Sequence, residues 1–455
     1  MARKTKKSTF WTFADHFEGD KVVWIIVLLL FLASIVCMFS SSSRLLKDEM
    51  SRIDVVTEQF KTVLGGLVLV ILLYNIKRIS IFRVASSFGL LLSFVLLLLL
   101  DLRISTPIVK SIETNGAYRV LQLNGMQIHV FEIVKVAMVM YLAWAIDAIK
   151  RNCHLMPGRS LSEKWKKILY LYIPFLVIFV MIIPGSNSSA LFIGGIMYIV
   201  ILLGGGNLKD MLILGACGIT AIMVCFGIYK ISDGKMMSRI GTGIARVFES
   251  EDWEKKFLES PKNSKDYNLA LDEIRQPYSA KIAIKEGGLI GKGPGESTQK
   301  YKVPDYSEDY IYSFIIEEYG LAGGIFVLVL YLSLLARGSI IVRNCGNDEF
   351  AKISVAGLCL LITGQAFLHM FVNADIGPMT GQTLPLISHG TSAFLCFCIA
   401  FGIILSFSRI ASRNIERETR NADPLMETHD SVRDGLAELD AFESGQSTNK
   451  EEDLI

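Results

Sequence analysis

Val22-Val23-Trp24-Ile25-Ile26-Val27-Leu28-Leu29-Leu30-Phe31-Leu32-Ala33-Ser34-Ile35-Val36-Cys37-Met38-Phe39 runs for eighteen residues without a charge. About 20 such residues cross a bilayer as a helix. The run is too long for the apolar core of a signal peptide, and no small-residue cleavage site follows it, so we expect a retained span. Similar runs recur at 62–76, 80–100, 128–148, 168–184, 188–205, 209–230, 310–336, 352–373 and 386–408. The fifth and sixth are parted only by Pro184-Gly185-Ser186-Asn187. The chain is 51% hydrophobic, with a mean hydropathy of +0.44, which argues against a soluble globular protein. Irregular backbone is not tolerated against lipid. The expected fold is therefore an all-α integral membrane protein of about ten transmembrane helices, with a large extracytoplasmic loop between the seventh and eighth.

Formal net charge is only +2, but its distribution is informative. Arg3, Lys4, Lys6, Lys7 and Lys21 precede the first span, and Lys77, Arg78 and Arg83 follow the second. Lys150, Arg151, Arg159, Lys164, Lys166 and Lys167 follow the fourth, Arg337, Arg343 and Lys352 the eighth, and Arg409, Arg413, Arg417 and Arg420 the last. With ten spans, all fall on one side, which the positive-inside rule makes cytoplasmic together with both termini. This divides the chain into a basic cytoplasmic segment (1–21), a membrane domain (22–409) containing the external loop 231–309, and a cytoplasmic tail (410–455). Six of the eight cysteines lie in spans, and Cys153 and Cys345 in cytoplasmic loops, so no disulfide is expected.

Phe10, Phe13 and Phe17 recur at helical spacing behind the basic cluster, which suits either an interfacial helix or a disordered basic tail. In the external loop, Ile240, Ile244, Val247, Phe248, Trp253, Phe257 and Leu258 suggest an amphipathic helix on the outer surface. A second apolar-polar stretch, Tyr278 to Ile284, leads into Gly287-Gly288-Leu289-Ile290-Gly291-Lys292-Gly293-Pro294-Gly295. That run lacks the Gly-Lys-Ser/Thr ending of a phosphate loop and no strand precedes it, so tight turns are the better reading. Residues 421–455 hold ten acidic and two basic residues, the composition of a disordered tail.

Charged groups at the mouths of the spans carry the chemistry. Asp309 ends the external loop where the eighth span begins. It fits a helix N-cap, and equally a general base facing outside. Glu317 and Glu318 follow about 12 Å deeper along the helix. Being adjacent, they point about 100° apart, so one is expected to pair with polar backbone and the other to face a cavity. Glu132 and Lys135 stand one turn apart near the outer end of the fourth span, as a local ion pair or as the lining of a polar cavity. Arg119 lies just upstream. Arg and Lys are natural partners of a diphosphate. Residues 373–392, rich in Gly, Pro, Ser and Thr, are too apolar for a solvent loop and read as a re-entrant segment packed in protein. His389 within it fits a hydrogen-bonded structural role. No metal-ligand cluster is visible.

Three segments carry a family resemblance. Gly116-Ala117-Tyr118-Arg119 through Glu132 to Lys135 is similar to a Gly-x-x-Arg-Trp … Gln-Pro-Ser-Glu-x-x-Lys pattern. Gly291-Lys292-Gly293-Pro294-Gly295 through Gln299-Lys300 to Asp309 and Glu317-Glu318-Tyr319-Gly320 is similar to Gly-x-Gly-x-Gly … Gln-Lys … His-Thr-Asp-Phe … Glu-Glu-Leu-Gly. Pro378-Met379-Thr380-Gly381 through Leu384-Pro385-Leu386-Ile387-Ser388 is similar to Pro-x-Thr-Gly … Leu-Pro-Phe-Ile-Ser-Tyr-Gly-Gly-Ser-Ser. Together and in this order they resemble the SEDS family of FtsW/RodA polymerases over about 22–409. Val120 stands in place of the family's Trp, and His129-Val130-Phe131 in place of Gln-Pro-Ser. Ser307-Glu308 replaces His-Thr, and His389, Thr391 and Ala393 alter the last run.

The resemblance implies a peptidoglycan glycosyltransferase of the bacterial cytoplasmic membrane acting on lipid II. Asp309 would be the catalytic base, with Arg119, Glu132, Lys135, Glu317, Glu318 and Ser388 as substrate-binding candidates. It leaves open a divalent cation, Mg or Mn, at the diphosphate. It further implies a class B penicillin-binding transpeptidase as partner, with other divisome proteins and membrane lipids, and no nucleic acid. The overall pattern sits nearer the division branch, and hence the septum, than the elongation branch. A lipid II flippase would use the same polar cavity, and a scaffold that has lost activity would share the fold.

Overall fold

A computed structural model describes residues 18–45, 52–106, 109–114, 117–123, 125–154, 156–158, 160–232, 250–262, 264–303 and 306–422. The expected interfacial helix at Phe10–Phe17 and the acidic tail beyond 422 lie outside these residues, as does the stretch Ile240–Phe248.

The chain opens with α1 (Lys21–Leu45), α2 (Arg52–Tyr74) and the pair α3 (Ile79–Ser87) and α4 (Gly89–Asp101), bent by 40° at their junction. Gly89 begins α4 where a Cβ would sit 2.6 Å from Ala137 O, so glycine allows this helix to press onto the next one. Three antiparallel strands follow, β1 (Val109–Thr114), β2 (Ala117–Leu123) and β3 (Met126–His129), in that order across the sheet. Leu123 pairs with Met126 and Val120 with His129. This sheet lies between the third and fourth expected spans and reaches into the start of the fourth. It adds a small β element to an otherwise helical fold.

The sheet feeds directly into α5 (Val130–Arg151), the central helix. It contacts α4, and also α8 (Asn187–Leu203) and α14 (Glu349–Asn373). Val134, Met138, Leu142, Ala143 and Ala145 are fully buried. A helix buried nearly all round belongs at the core of a bundle. Next come α6 (Glu163–Lys167), a π-helical turn (Ile168–Tyr172), α7 (Ile173–Ile182), α8 and α9 (Leu208–Ile231). Pro174 lacks the N–H that would reach Tyr170 O, and Tyr141 Oη donates to that carbonyl instead (3.1 Å). The segment expected to form the external loop supplies α10 (Ser250–Glu259) and α11 (Lys265–Gly287). Phe257 and Leu258 lie on α10, with Phe257 stacked on Tyr267. The chain then passes through a 3₁₀ turn (Gln299–Tyr301) and the short α12 (Tyr306–Asp309) into α13 (Ile311–Asn344), α14 and α15 (Thr391–Ala422).

By length and composition, seven of the described helices suit a membrane crossing, or eight with the bent α3–α4 pair. Each of the ten expected runs overlaps helical structure. Two fall outside that count: α8 is a short apolar helix, and α5 carries Glu132, Lys135, Asp147, Lys150 and Arg151. Leu32, Leu72, Leu91 and Leu212 point outward at 57–64% exposure, as lipid-facing residues should. The last helix starts at Thr391, later than the expected 386, because residues 374–390 form a non-helical segment. Within it Leu384, Leu386 and Ile387 are buried. At the end opposite Asp309, Arg83 bonds both Asp147 (3.0 Å) and Asp348 (3.0 Å), tying α3, α5 and the start of α14 together.

Candidate active site

Glu132 lies in the first turn of α5, where the helix dipole favours a carboxylate. One turn on, Lys135 is 1% exposed. Its ammonium donates to Glu132 Oε1 (2.6 Å), Gln365 Oε1 (2.7 Å) and Gln382 Oε1 (2.9 Å), and it lies 5.7 Å from the Phe192 ring centre. Both amides are oriented from behind. Gln365 Nε2 donates to Thr383 O (2.9 Å) and Gln382 Nε2 to Ser189 Oγ (3.0 Å). Each can therefore present only its oxygen to the lysine.

From Gln382 the network continues toward Asp309. His369 Nδ1–H donates to Gln382 O (2.7 Å), the tautomer a carbonyl partner requires. Asn373 Nδ2 donates to His369 O (2.9 Å) and to Asp309 O (3.1 Å), while its Oδ1 accepts from Ser313 N (2.9 Å). A Cβ on Gly381 would stand 3.8 Å from Asp309 Oδ2. The segment Gly381-Gln382 thus runs from the Asp309 carboxylate to the Lys135 ammonium. Residues 365, 369 and 373 recur at four-residue spacing, one face of α14. Sequence reading missed all three, and a polar face within an apolar span was the signal that marked them.

Asp309 is half-buried and ends α12. The N-cap position of α13 is occupied by Tyr310, with no side-chain capping bond. The N-cap position expected for Asp309 therefore falls to its neighbour. Ser388 braces the same turn: its Oγ donates to Glu308 O (2.8 Å) and accepts from Leu384 N (2.8 Å). His389 N donates to Ser307 O (2.9 Å), and its ring stands 3.5 Å from Glu308 Oε1. Arg119 projects from β2 and donates from Nε to Gly185 O (3.0 Å). That carbonyl belongs to the turn whose Ser186 caps α8, the helix that carries Ser189.

Glu317 and Glu318 have a different setting from the cavity expected for one of them. Both are buried and hold the glycine-rich run. Glu317 Oε1 accepts from Lys292 Nζ (2.7 Å), Thr298 N (2.9 Å) and Thr298 Oγ1 (3.0 Å), and Oε2 from Ser297 Oγ. Glu318 Oε2 accepts from Ser40 Oγ, which itself accepts from Gly295 N (2.7 Å). Lys292 also reaches Glu286, and the ammonium beside it holds that exposed carboxyl below the usual range. Partial burial works against charge on Lys292, but its bonds to Glu286 and Glu317 raise its pKa overall. Below these side chains α13 is broken at Gly320 (φ 70°, ψ −177°). Lys292 N and Gly293 N bond Glu317 O and Glu318 O, and Leu321 N bonds Gly288 O. The run is a clasp of tight turns seated in a helix break.

Among the described residues no three His, Cys, Asp or Glu side chains converge, and the carboxylate oxygen of Glu132 nearest the site is taken by Lys135.

A family model described as "Cell cycle protein", FtsW/RodA/SpoVE, matches residues 20–413. The chain belongs to the FtsW/RodA/SpoVE family. It is 38% identical over 137 residues to a Caulobacter vibrioides protein named "Probable peptidoglycan glycosyltransferase FtsW", covering 30% of this chain and 35% of that one. A Bacillus subtilis protein of the same name is 31% identical, covering 63% of this chain and 66% of the relative. The chain thus spans about a third and just under two thirds of these relatives. An Enterococcus hirae relative, also so named, is 26% identical over 90% of this chain and 96% of its own. Among solved structures, a chain from a peptidoglycan synthase complex that coordinates polymerization and crosslinking superposes with TM-score 0.59 at 20% identity, over 87% of this chain and 98% of that one. The Thermus thermophilus rod shape determining protein RodA gives TM-score 0.53 at 20% identity, over 86% and 97%. These structures share the FtsW/RodA fold, that of a multi-pass membrane protein.

Proposed function

We propose that this chain is a peptidoglycan glycosyltransferase that polymerises lipid II at the outer face of the bacterial cytoplasmic membrane, for septal wall synthesis. The observation that carries the reading is the polar network joining a buried, oriented ammonium to the Asp309 turn. Asp309 takes the proton from a sugar 4-hydroxyl as its oxygen bonds the anomeric carbon of the other substrate. The bond from that carbon to the lipid diphosphate breaks, and its electron pair leaves on the diphosphate oxygen. The leaving group is already anionic and needs cationic stabilisation rather than a proton donor. One carboxylate therefore suffices, unlike the pair of a glycoside hydrolase. Lys135 and Arg119 supply positive charge, and Glu132 orients Lys135. Ser388 holds the turn that bears the base. Glu317 and Glu318 support the site by fixing the loop that precedes it.

The relatives' names and the division-type sequence pattern support the septal assignment, and the distribution of basic residues supports ten crossings with both termini cytoplasmic. The fold shared with a chain of a peptidoglycan synthase complex supports a class B penicillin-binding transpeptidase as partner, alongside other divisome proteins.

Purified protein given lipid II in detergent should form glycan polymer. A flippase would form none. Arg119→Gln should lower lipid II turnover about 10- to 100-fold, the worth of one charge-assisted contact, and Lys135→Gln at least as much. Polymerisation at wild-type efficiency in both variants would refute the diphosphate assignment.

A further inference from the structure

An ammonium has three protons to donate, and Lys135 has three acceptors: Glu132, Gln365 and Gln382. With the residue 1% exposed, solvent does not supply a fourth. A diphosphate oxygen can reach this nitrogen only by replacing one of the three. We infer that Gln382 is the displaceable acceptor, a neutral placeholder for the diphosphate that holds Lys135 oriented until the substrate arrives. This rests on the diphosphate reading of Lys135 above.

The three acceptors are not equally easy to remove. Withdrawing Glu132 would leave a carboxylate unpaired at the buried ammonium, the costly way to break such a pair. Gln365 sits on α14, and its amide is doubly held, on Thr383 O (2.9 Å) and Thr383 Oγ1 (3.2 Å). Gln382 is neutral, lies in the non-helical 374–390 segment, and its amide has one anchor, Ser189 Oγ. Exchanging its oxygen for a charged phosphate oxygen replaces an ion–dipole bond with a stronger charge-assisted one.

The backbone of Gln382 is anchored near the base. The Gln382 carbonyl is held by His369 and the preceding Gly381 abuts Asp309. The Gln382 side chain can therefore leave Lys135 by rotation while this backbone stays in place. Gln382 acts through Lys135 and is a positioning residue, not a catalytic one.

The test is titration of undecaprenyl diphosphate in detergent micelles into the full-length protein, with thermal unfolding as a check on folding. Gln382→Leu and Gln382→Asn both withdraw the acceptor; the Asn side chain stays polar but is one methylene shorter. Both should bind the diphosphate tighter than wild type, about five-fold, the net worth of one hydrogen bond no longer displaced. Lys135→Gln should bind much more weakly than wild type. A residue that merely braces its loop would give weaker binding when altered. Equal or weaker binding by both folded Gln382 variants, with Lys135→Gln impaired, overturns the placeholder and leaves the diphosphate reading standing. Undiminished binding by Lys135→Gln overturns both.

Discussion

Asp309→Asn should abolish most polymerisation while leaving the protein folded. The substitution keeps the side chain's size and removes only its capacity to take a proton. Tyr310, not residue 309, stands at the N-cap of α13, and Asn caps helices about as well as Asp. The Asp309 contact to Asn373 runs through the backbone carbonyl and survives the change. Glycan synthesis from lipid II should fall by about 10²-fold or more, the scale of a positioned general base. Thermal stability and transpeptidase binding should stay near wild type. Robust polymer from the purified variant would refute the mechanism.

Much of the membrane architecture was legible because hydrocarbon imposes a simple rule: long apolar runs become helices. The Glu132–Lys135 pair was legible for the same reason, since charges in such a run need partners. The β-sheet was not recognised, although Leu123-Asn124-Gly125-Met126 carries the Asn-Gly hairpin signal and Gly125 has φ +92°. Its strands alternate weakly, and they sit between spans where a loop was the default. Gln365, His369, Asn373 and Gln382 were not singled out as site residues for a different reason. Each is neutral, and its role exists only when α5, α14 and the 374–390 segment meet across more than 200 residues of sequence. Glu317 and Glu318 show the opposite error. A charge in a span suggested a cavity, but folding brought the glycine-rich run to them.

Gly320→Ala should be among the most damaging single-methyl additions in this protein. With ψ −177° at positive φ, Gly320 occupies a backbone region essentially closed to other residues. A Cβ there would lie 2.3 Å from Leu289 O, and at Gly291 one would lie 2.3 Å from Glu318 O. The two chains pack backbone to backbone, so no flexible side chain can yield. Relief requires the clasp to open, which withdraws Lys292, Ser297 and Thr298 from Glu317 and leaves a fully buried carboxylate short of donors. Backbone strain of about 1–3 kcal/mol and an overpacking cost of similar size together come to about 2–6 kcal/mol. The variant should therefore unfold at a temperature roughly 5 °C or more below wild type in the same detergent. Ala substitution at Gly218, where a Cβ meets nothing within 4 Å in a helix, serves as the control and should leave the midpoint unchanged or raised. A Gly320→Ala midpoint equal to wild type would mean that the helix break does not depend on glycine, and the clasp would lose its role as support for the Asp309 loop.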